Sequence, residues 1–165
     1  WSSQAHFLQV MVNAPCELVH RLLPGMRERG RGAIINVASL AGLVPGSAGS
    51  TLYGASKAFM VKFSQSLSIE QRDRGIRVSA LCPGFTYSEF HDVTGARDLV
   101  SKMPRYLWMN ADAVVAQGLR AIERGQVICV PGRVNKFLKF ISKHMPDALA
   151  LRIVARRSAR FRVLD

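Results

Sequence analysis

The hydrophobic positions of this chain follow two different periods, which predicts helices and strands in alternation. Apolar residues recur every three to four positions over about residues 4–28, 52–74 and 111–124, a spacing typical of amphipathic helices. A largely apolar run at 33–38 predicts a strand buried on both faces, and 77–82 and 127–130 are predicted as two further short strands. Strands that alternate with helices indicate an α/β fold with a parallel sheet and right-handed crossovers.

A few residues set the expected ends and faces of these helices. Pro15 lacks an N–H group, so we expect the first helix to kink beside Asn13. Asn110 is the expected N-cap of the helix at 111–124, and Gly75 and Gly125 are the expected helix stops. The predicted apolar stripes are Phe7, Val10, Ala14, Leu18 and Leu22 in the first helix, and Ala55, Phe59, Phe63 and Leu67 in the second.

Two further amphipathic helices are predicted at the C-terminal end, over about residues 133–145 and 147–162. The first has an apolar face and an opposite face that carries Lys136, Lys139 and Lys143. The second carries a row of arginines opposite its apolar residues. The apolar positions are Val134, Phe137, Leu138, Ile141 and Met145 in the first helix, and Leu151, Val154 and Phe161 in the second. We therefore divide the chain into an α/β part, 1–132, and a basic amphipathic helical extension, 133–165.

The charge of the chain is strongly positive and uneven. The formal net charge is +12, and residues 133–165 contribute seven of these charges, from nine Lys or Arg against two Asp. Such a basic segment suits nucleic acid, an anionic lipid surface or an acidic partner. Of these three, we expect no nucleic-acid partner. Two interpretations stay open: a packed helix pair with a solvated basic face, which is the commoner arrangement, and an interfacial anchor at a membrane.

The composition indicates a globular, cytoplasmic protein, with peripheral membrane contact as the alternative location. Hydrophobic residues make up 48% of the 165 residues, which excludes a disordered chain. Cys16, Cys82 and Cys129 are widely spaced in apolar surroundings, which favours reduced, buried thiols. The four histidines have no metal-ligand spacing, so we expect no metal.

Tyr53 and Lys57 are the strongest candidates for chemistry. Residues four apart on a helix share one face, so the phenol and the ammonium are expected to lie close together. An adjacent cation stabilises phenolate and lowers the pKa of a phenol by roughly 1–3 units. A phenol tuned in this way can exchange a proton with an alcohol or carbonyl oxygen near neutral pH.

The surrounding motifs resemble the short-chain dehydrogenase/reductase family. The chain carries Gly-Ala-Ile-Ile-Asn-Val-Ala-Ser at 32–39, Tyr-Gly-Ala-Ser-Lys at 53–57 and Gly-Ile-Arg-Val-Ser-Ala-Leu-Cys-Pro-Gly at 75–84. The order of Asn13, Ser39, Tyr53, Lys57 and Pro83-Gly84 is similar to that of the family's catalytic half. The resemblance implies a Rossmann-like parallel sheet with flanking helices, of which 1–132 would be the C-terminal part. It also implies an NAD- or NADP-dependent oxidoreductase that interconverts an alcohol and a carbonyl by hydride transfer.

The resemblance also implies a role for each matching residue. Tyr53 would be the general acid or base, and Ser39 would bond the substrate oxygen. Lys57 would bind the cofactor ribose and tune the phenol, while Asn13 would hold a water in the proton relay. Tyr53 and Lys57 would also contact the cofactor. Further cofactor contacts would come from Pro83, Gly84 and Ser88, where Ser88 occupies the position of a more usual Thr.

The segment between Phe85 and Met109 corresponds to the family's substrate lid. Its aromatic and apolar residues favour a hydrophobic, bulky small-molecule substrate, although ordinary core packing explains them equally well. These residues are Phe85, Tyr87, Phe90, Tyr106, Leu107 and Trp108.

One family motif has no match in these 165 residues. The Gly-x-x-x-Gly-x-Gly turn that holds the cofactor pyrophosphate does not occur, and the glycines at 42–49 have a different spacing. Two hypotheses follow. In the first, the chain is the catalytic part of an oxidoreductase, inactive alone, with a bare sheet edge that promotes homo-oligomers. In the second, it is a non-catalytic module that docks on a membrane or partner through its basic helices.

Overall fold

The sheet has the predicted parallel α/β architecture. The computed structural model describes residues 1–89 and 103–158, with side chains as far as residue 156. The strands are β1 (Gly32–Val37), β2 (Ile76–Leu81), β3 (Phe85–Tyr87), β4 (Trp108–Asn110) and β5 (Ile128–Cys129). β1, β2 and β5 form one parallel sheet in the order β1-β2-β5, with Gly32 opposite Ile76 and Ala80 opposite Ile128. The three predicted strands are therefore present, each within two residues of its expected bounds.

The helices pack on both faces of this sheet. They are α1 (Ser2–Leu8), α2 (Ala14–Glu28), α3 (Thr51–Glu70), α4 (Ala111–Glu123), α5 (Arg133–His144) and α6 (Asp147–Ser158). Ile76 and Val78 of β2 pack with α2 and α3, whereas Leu81 packs with Val114 and Ala121 of α4. Because alternate strand residues point to opposite faces, α4 lies across the sheet from α2 and α3.

The first helix contains a π-helical turn where a kink was expected. Gln9–Asn13 forms this turn, and the N–H group of Ala14 donates to the carbonyl of Gln9. Pro15 follows directly and has no N–H group to continue the regular pattern. The disturbance beside Asn13 therefore takes the form of an inserted residue, a feature that is frequent at functional sites.

The predicted apolar stripes of the two long helices match the buried faces only in part. In α2 the core residues are Val19 and Leu23, while Leu18 and Leu22 are exposed. In α3 the buried face consists of Ser56, Lys57, Met60, Val61, Ser64 and Leu67, whereas Ala55 and Phe59 are exposed. The prediction is confirmed for Phe63 and Leu67, which pack in the core, and was wrong for Ala55 and Phe59, because α3 turns polar side chains toward the sheet beside them.

β1 is an edge strand in the described part of the chain, and helices partly cover both of its faces as expected: Ile34 packs on the side of α2 and α3, and Ile35 packs on the side of α4. β1 pairs with β2 on one side, and Val37 is 60% exposed. A cleft of about 360 Å³ runs along its other side and is lined by Leu18 and Leu22 of α2. The apolar residues of the first helix that were expected in the core lie along this cleft.

Two glycines end helical segments as the sequence indicates. Gly75 closes the turn after α3 at φ 66°, and Gly125 follows α4 at φ 68°. Glycine adopts this left-handed conformation without the steric cost of a side chain. A Cβ at Gly75 would also overlap the carbonyl of Gly30, where the turns before β1 and β2 meet.

None of the helices in residues 1–89 and 103–158 combines the length and apolar character needed to cross a bilayer.

Candidate active site

The candidate site lies where β1 and β2 end, at the carboxyl edge of the sheet. Ala38 donates its N–H to Leu81 O at 2.8 Å, and Leu40 donates its N–H to Pro83 O at 2.8 Å. These bonds hold the segment after β1 against the segment after β2. The loops that carry Ser39 and Pro83 are therefore neighbours at the edge where open parallel sheets bind ligands.

Ser39 is buried and fixed by the turn that follows it. Its backbone is extended, and its Oγ accepts a hydrogen bond at 3.1 Å from Ala41 N, which caps the short 3₁₀ helix Leu40–Gly42. A hydroxyl has one O–H donor besides its acceptor lone pairs. Ser39 can therefore cap the turn and still donate its proton to a substrate oxygen.

A close backbone approach joins the loop after β1 to α3. A Cβ on Gly42 would lie 2.5 Å from the carbonyl carbon of Lys57, so only glycine fits there. Gly54, one turn earlier on α3, faces the carbonyl of Ala41. The Ser39 loop therefore packs directly against the first two turns of α3, which carry Tyr53 and Lys57.

Lys57 is buried at the end of β1, close to the ring of Tyr53. Its Nζ donates a 3.0 Å hydrogen bond to Val37 O and lies 5.8 Å from the centroid of the Tyr53 ring. The side chain of Lys57 is only 8% exposed. Burial lowers the pKa of Lys57, because removal from water disfavours the ammonium, and the Cys82 thiol acts weakly in the opposite direction. The helix thus places a buried amine next to a half-buried phenol.

Cys82 lies beneath this group and is chemically quiet. It is fully buried directly after β2, and its Sγ faces Ala80 O at 3.7 Å. Burial raises the pKa of Cys82 to about 12, although Lys139, Lys57 and a backbone hydrogen bond from Ser39 act to lower it. The residue remains a thiol near neutral pH, and a thiol is a poor nucleophile.

The Pro83-Gly84 turn rests on a residue that the sequence reasoning missed. Asn135, on the first turn of α5, is buried, and its Nδ2 donates to Pro131 O at 2.8 Å. A Cβ on Gly84 would lie 2.5 Å from Oδ1 of Asn135. An Asn between Val134 and Leu138 on an amphipathic helix is a weak signal of such a buried role. The basic extension therefore begins in contact with the site.

Asn13 and Ser88 lie apart from the bonds that join Ser39, Lys57 and Pro83. Asn13 is exposed on the π-helical turn, and its Nδ2 donates to Gln9 Oε1 at 2.8 Å. That turn packs against α3, which is the helix of Tyr53 and Lys57. Ser88 is exposed just after β3. The roles assigned to both residues stay predictions.

The segment predicted as a lid contains a small sheet that the sequence pattern did not reveal. β3 and β4 pair in parallel, with Phe85 opposite Trp108 and Tyr87 opposite Asn110. The Trp108 ring stacks on Tyr87 at 4.8 Å and contacts Phe85 at 5.4 Å. These aromatic residues therefore form one cluster beside the site, while Phe90 lies outside the described residues.

Proteins of known sequence resemble much of this chain. A protein from Myxococcus xanthus, described as an uncharacterized oxidoreductase, is 35% identical over 84% of this chain and 54% of its own length. The very-long-chain 3-oxoacyl-CoA reductase of Anas platyrhynchos is 26% identical over 94% of this chain and 46% of its own. The chain thus spans about half the length of these relatives.

A solved structure shares the fold. The short-chain dehydrogenase from Sphingobium yanoikuyae, solved in complex with NADPH, matches 93% of this chain and 52% of its own, with 29% identity and a TM-score of 0.69. The family model described as short chain dehydrogenase matches residues 3–98, which is more than half of the chain. The chain therefore belongs to the short-chain dehydrogenase family.

Proposed function

We propose that this chain supplies the catalytic centre of an NAD- or NADP-dependent oxidoreductase that interconverts an alcohol and a carbonyl. The observation that carries the proposal is the buried Nζ of Lys57, 5.8 Å from the ring centroid of Tyr53. An ammonium buried away from water lowers the stability of a fold unless hydrogen bonds or an opposite charge compensate for the lost hydration. A cation beside a phenol at the carboxyl edge of a parallel sheet is suited to proton transfer with a bound oxygen.

Each residue has a role that its position supports. Tyr53 exchanges the proton with the substrate oxygen, and Ser39 donates a hydrogen bond to the same oxygen. Such hydrogen bonds stabilise the negative charge that develops on the oxygen during the reaction. Asn13 is the proposed water ligand of the proton relay, and its amide would have to turn away from Gln9 to take that role.

The residues present fit the nicotinamide end of a dinucleotide, which supplies the hydride when bound. An ammonium has three N–H donors, and the bond from Lys57 to Val37 O uses one of them. The others are available for ribose hydroxyls. The Pro83-Gly84 turn, bonded to Leu40 and supported by Asn135, provides a firm backbone wall beside that position. The chain has no glycine-rich turn for the pyrophosphate.

The substrate we propose is hydrophobic. Phe85, Tyr87 and Trp108 form an aromatic cluster beside the site, and apolar linings bind apolar ligands. The name of the Anas platyrhynchos relative, a very-long-chain 3-oxoacyl-CoA reductase, points to the same kind of substrate for that protein.

We further propose that the 165-residue chain by itself does not catalyse the reaction. The chain spans about half of its relatives' length, and β1 leaves one edge without a strand in the described residues. A strand, glycine-rich turn and helix placed against β1 would cover that edge and bring the pyrophosphate site, because helix N-termini bind phosphates.

The experiment first supplies the chain with the rest of the fold from a relative and then removes the phenol oxygen of Tyr53. The chain is co-expressed with the part of the Sphingobium yanoikuyae protein that the match leaves uncovered, and NADPH oxidation is followed with a panel of hydrophobic ketones. We expect turnover only in the complemented protein. Tyr53→Phe should lower kcat by roughly 100-fold or more, since general acid–base catalysis contributes about that much, and should leave NADPH affinity unchanged.

Ser66→Ala is the matched control, because it also removes one hydroxyl from α3, at an exposed position further along the helix. It should keep full activity. If Tyr53→Phe retains most of its kcat, Tyr53 is not the proton donor. A well-folded complemented protein that binds NADPH but reduces no carbonyl would favour the non-catalytic docking module instead.

A further inference from the structure

A basic groove lies on the side of the sheet away from the cleft beside β1. It runs between α4 and α5 next to β5 and encloses about 570 Å³. Five cationic side chains line it, and none of the lining residues is acidic. The cations are Arg120 of α4, Arg124 directly after α4, and Lys136, Lys139 and Lys143 of α5.

The groove brings together cationic side chains that are distant from each other in the sequence. Arg120 lies on the last turn of α4 and Arg124 directly after it, well before the basic extension, and the fold sets them opposite the lysines of α5. The ion pair that the structure describes, Arg21–Glu17, lies on α2. Within the described residues, no carboxylate pairs with any of the five cations. Like charges facing each other across a concave surface concentrate a positive potential, which an anionic ligand would relieve.

The same helix exposes two large aromatic side chains. Phe137 and Phe140 are each 60% exposed, and Phe140 lines the groove, where its ring lies 4.2 Å from that of His144. Phe137 lies on the predicted apolar face of α5, and its exposure disfavours the packed arrangement at this position. Asn135, which is buried against Gly84, lies on another side of the helix. An exposed Phe pair flanked by lysines is the pattern of a helix that lies in a membrane interface.

We propose that α5 docks on an anionic membrane, with lipid headgroup phosphates in the groove and Phe137 and Phe140 in the interfacial layer. The next helix, α6, exposes the aliphatic residues Leu149 and Leu151. Aliphatic side chains enter the acyl region of a bilayer but do not stack on bases. The combination therefore favours a lipid surface over a single-stranded nucleic acid, which would also suit cations and aromatic rings.

The first experiment measures co-sedimentation of the 165-residue chain with phosphatidylcholine vesicles that contain phosphatidylserine, and with pure phosphatidylcholine vesicles. We expect binding to the anionic vesicles alone. Each basic residue near such a surface strengthens binding about fivefold. The double variant Arg120→Gln/Arg124→Gln should therefore bind at least tenfold more weakly, although neither residue belongs to the C-terminal extension.

Arg72→Gln/Arg74→Gln is the matched control, since both residues are exposed in the turn after α3 and the variant loses the same charge. It should bind like the wild type. Equal weakening by both double variants would reduce the effect to net charge and overturn the proposal, as would unchanged binding of the α4 variant.

The second experiment tests insertion without altering the charge. Phe137→Trp should fold normally, because the position is exposed. With anionic vesicles, the tryptophan fluorescence of the variant should shift to the blue relative to that of the wild type. Brominated lipids should quench it. Phe137→Ser/Phe140→Ser should weaken vesicle binding severalfold. Emission that vesicles do not change would contradict insertion. Tighter binding of the chain to a fluorescent oligonucleotide, lost in Arg120→Gln/Arg124→Gln, would assign the groove to nucleic acid and overturn the proposal.

Discussion

At the scale of single residues, the burial of Lys57 in the candidate site lowers the stability of the fold. Its ammonium is buried and has Val37 O as its described hydrogen-bond acceptor. Desolvation lowers the pKa of Lys57 from its ordinary 10.5, so the unfolded chain holds this proton more tightly than the folded chain does. Protonation therefore favours unfolding, and Lys57 makes the fold less stable at neutral pH than it would be with an apolar residue there.

We expect Lys57→Met to raise the free energy of unfolding by about 1 kcal/mol at neutral pH, within the usual range for relief of a strained functional site. In the wild type, stability should rise with pH between the lowered pKa and 10.5, so the difference between the two proteins should shrink there. Urea unfolding across this pH range measures both effects. Lys62→Met, at an exposed position of the same helix, should show neither. A Lys57→Met variant that is less stable at every pH would contradict this account.

Two buried serines give opposite expectations for the same substitution. The Oγ of Ser64 accepts from Asn36 Nδ2 at 2.9 Å and donates to Met60 O at 2.7 Å. The Oγ of Ser79 is buried and has no hydrogen-bond partner in the described structure. Ser64→Ala should cost about 1–3 kcal/mol, because it leaves the Asn36 amide buried and unpaired. Ser79→Ala should be neutral or slightly stabilising. Chemical denaturation of the two variants compares them directly, and similar losses in both would refute the distinction.

At the scale of secondary structure elements, the site depends on the contact between the loop after β1 and α3. Gly42→Ala should destabilise the fold by about 1–3 kcal/mol, because the added Cβ would lie 2.5 Å from the Lys57 backbone. The displaced loop should also carry Ser39 away from Tyr53. Gly46→Ala is the control in the same loop, since a Cβ there meets nothing within 4 Å. It should be neutral or slightly stabilising. Thermal unfolding of both variants distinguishes a specific contact from general loop sensitivity.

The sequence pattern predicted those elements whose signal is local. The strands follow from apolar runs, and the turns at Gly75 and Gly125 follow from the conformation that only glycine adopts easily. The nearness of Tyr53 and Lys57 follows from helical spacing alone.

Features that depend on distant partners were missed. The pairing of β3 with β4 joins segments about twenty residues apart, and each has only three residues, too few for a period to show. The role of Asn135 exists only because α5 starts beside Gly84. The buried face of α3 was misjudged in part because Lys57 and Ser64 find polar partners across the helix–sheet interface, which hydrophobicity does not report.

At the scale of the whole molecule, two features have opposite effects on association: the net charge, and the edge of β1 that has no partner strand within the described residues. An unpaired strand edge with exposed apolar neighbours is a template for pairing with another chain. Val37 is 60% exposed at this edge, and Leu18 and Leu22 line the cleft beside it. A second copy could pair β1 with β1 about a twofold axis. The net charge of +12 opposes this contact through long-range repulsion, which salt screens.

We therefore expect the 165-residue chain to form dimers or larger species, and to do so more strongly as the salt concentration rises. Light scattering after size exclusion, at low and high salt, measures this directly. Val37→Lys should shift the population toward monomer, because a charge on an edge strand blocks pairing. Val115→Lys, which adds the same charge to an exposed position on α4, should not. The complementing half of a relative should also dissociate the dimers, because it competes with the second copy of the chain for the edge of β1. A wild type that stays monomeric at every salt concentration would show that the edge is protected, and association that survives Val37→Lys would place the contact elsewhere.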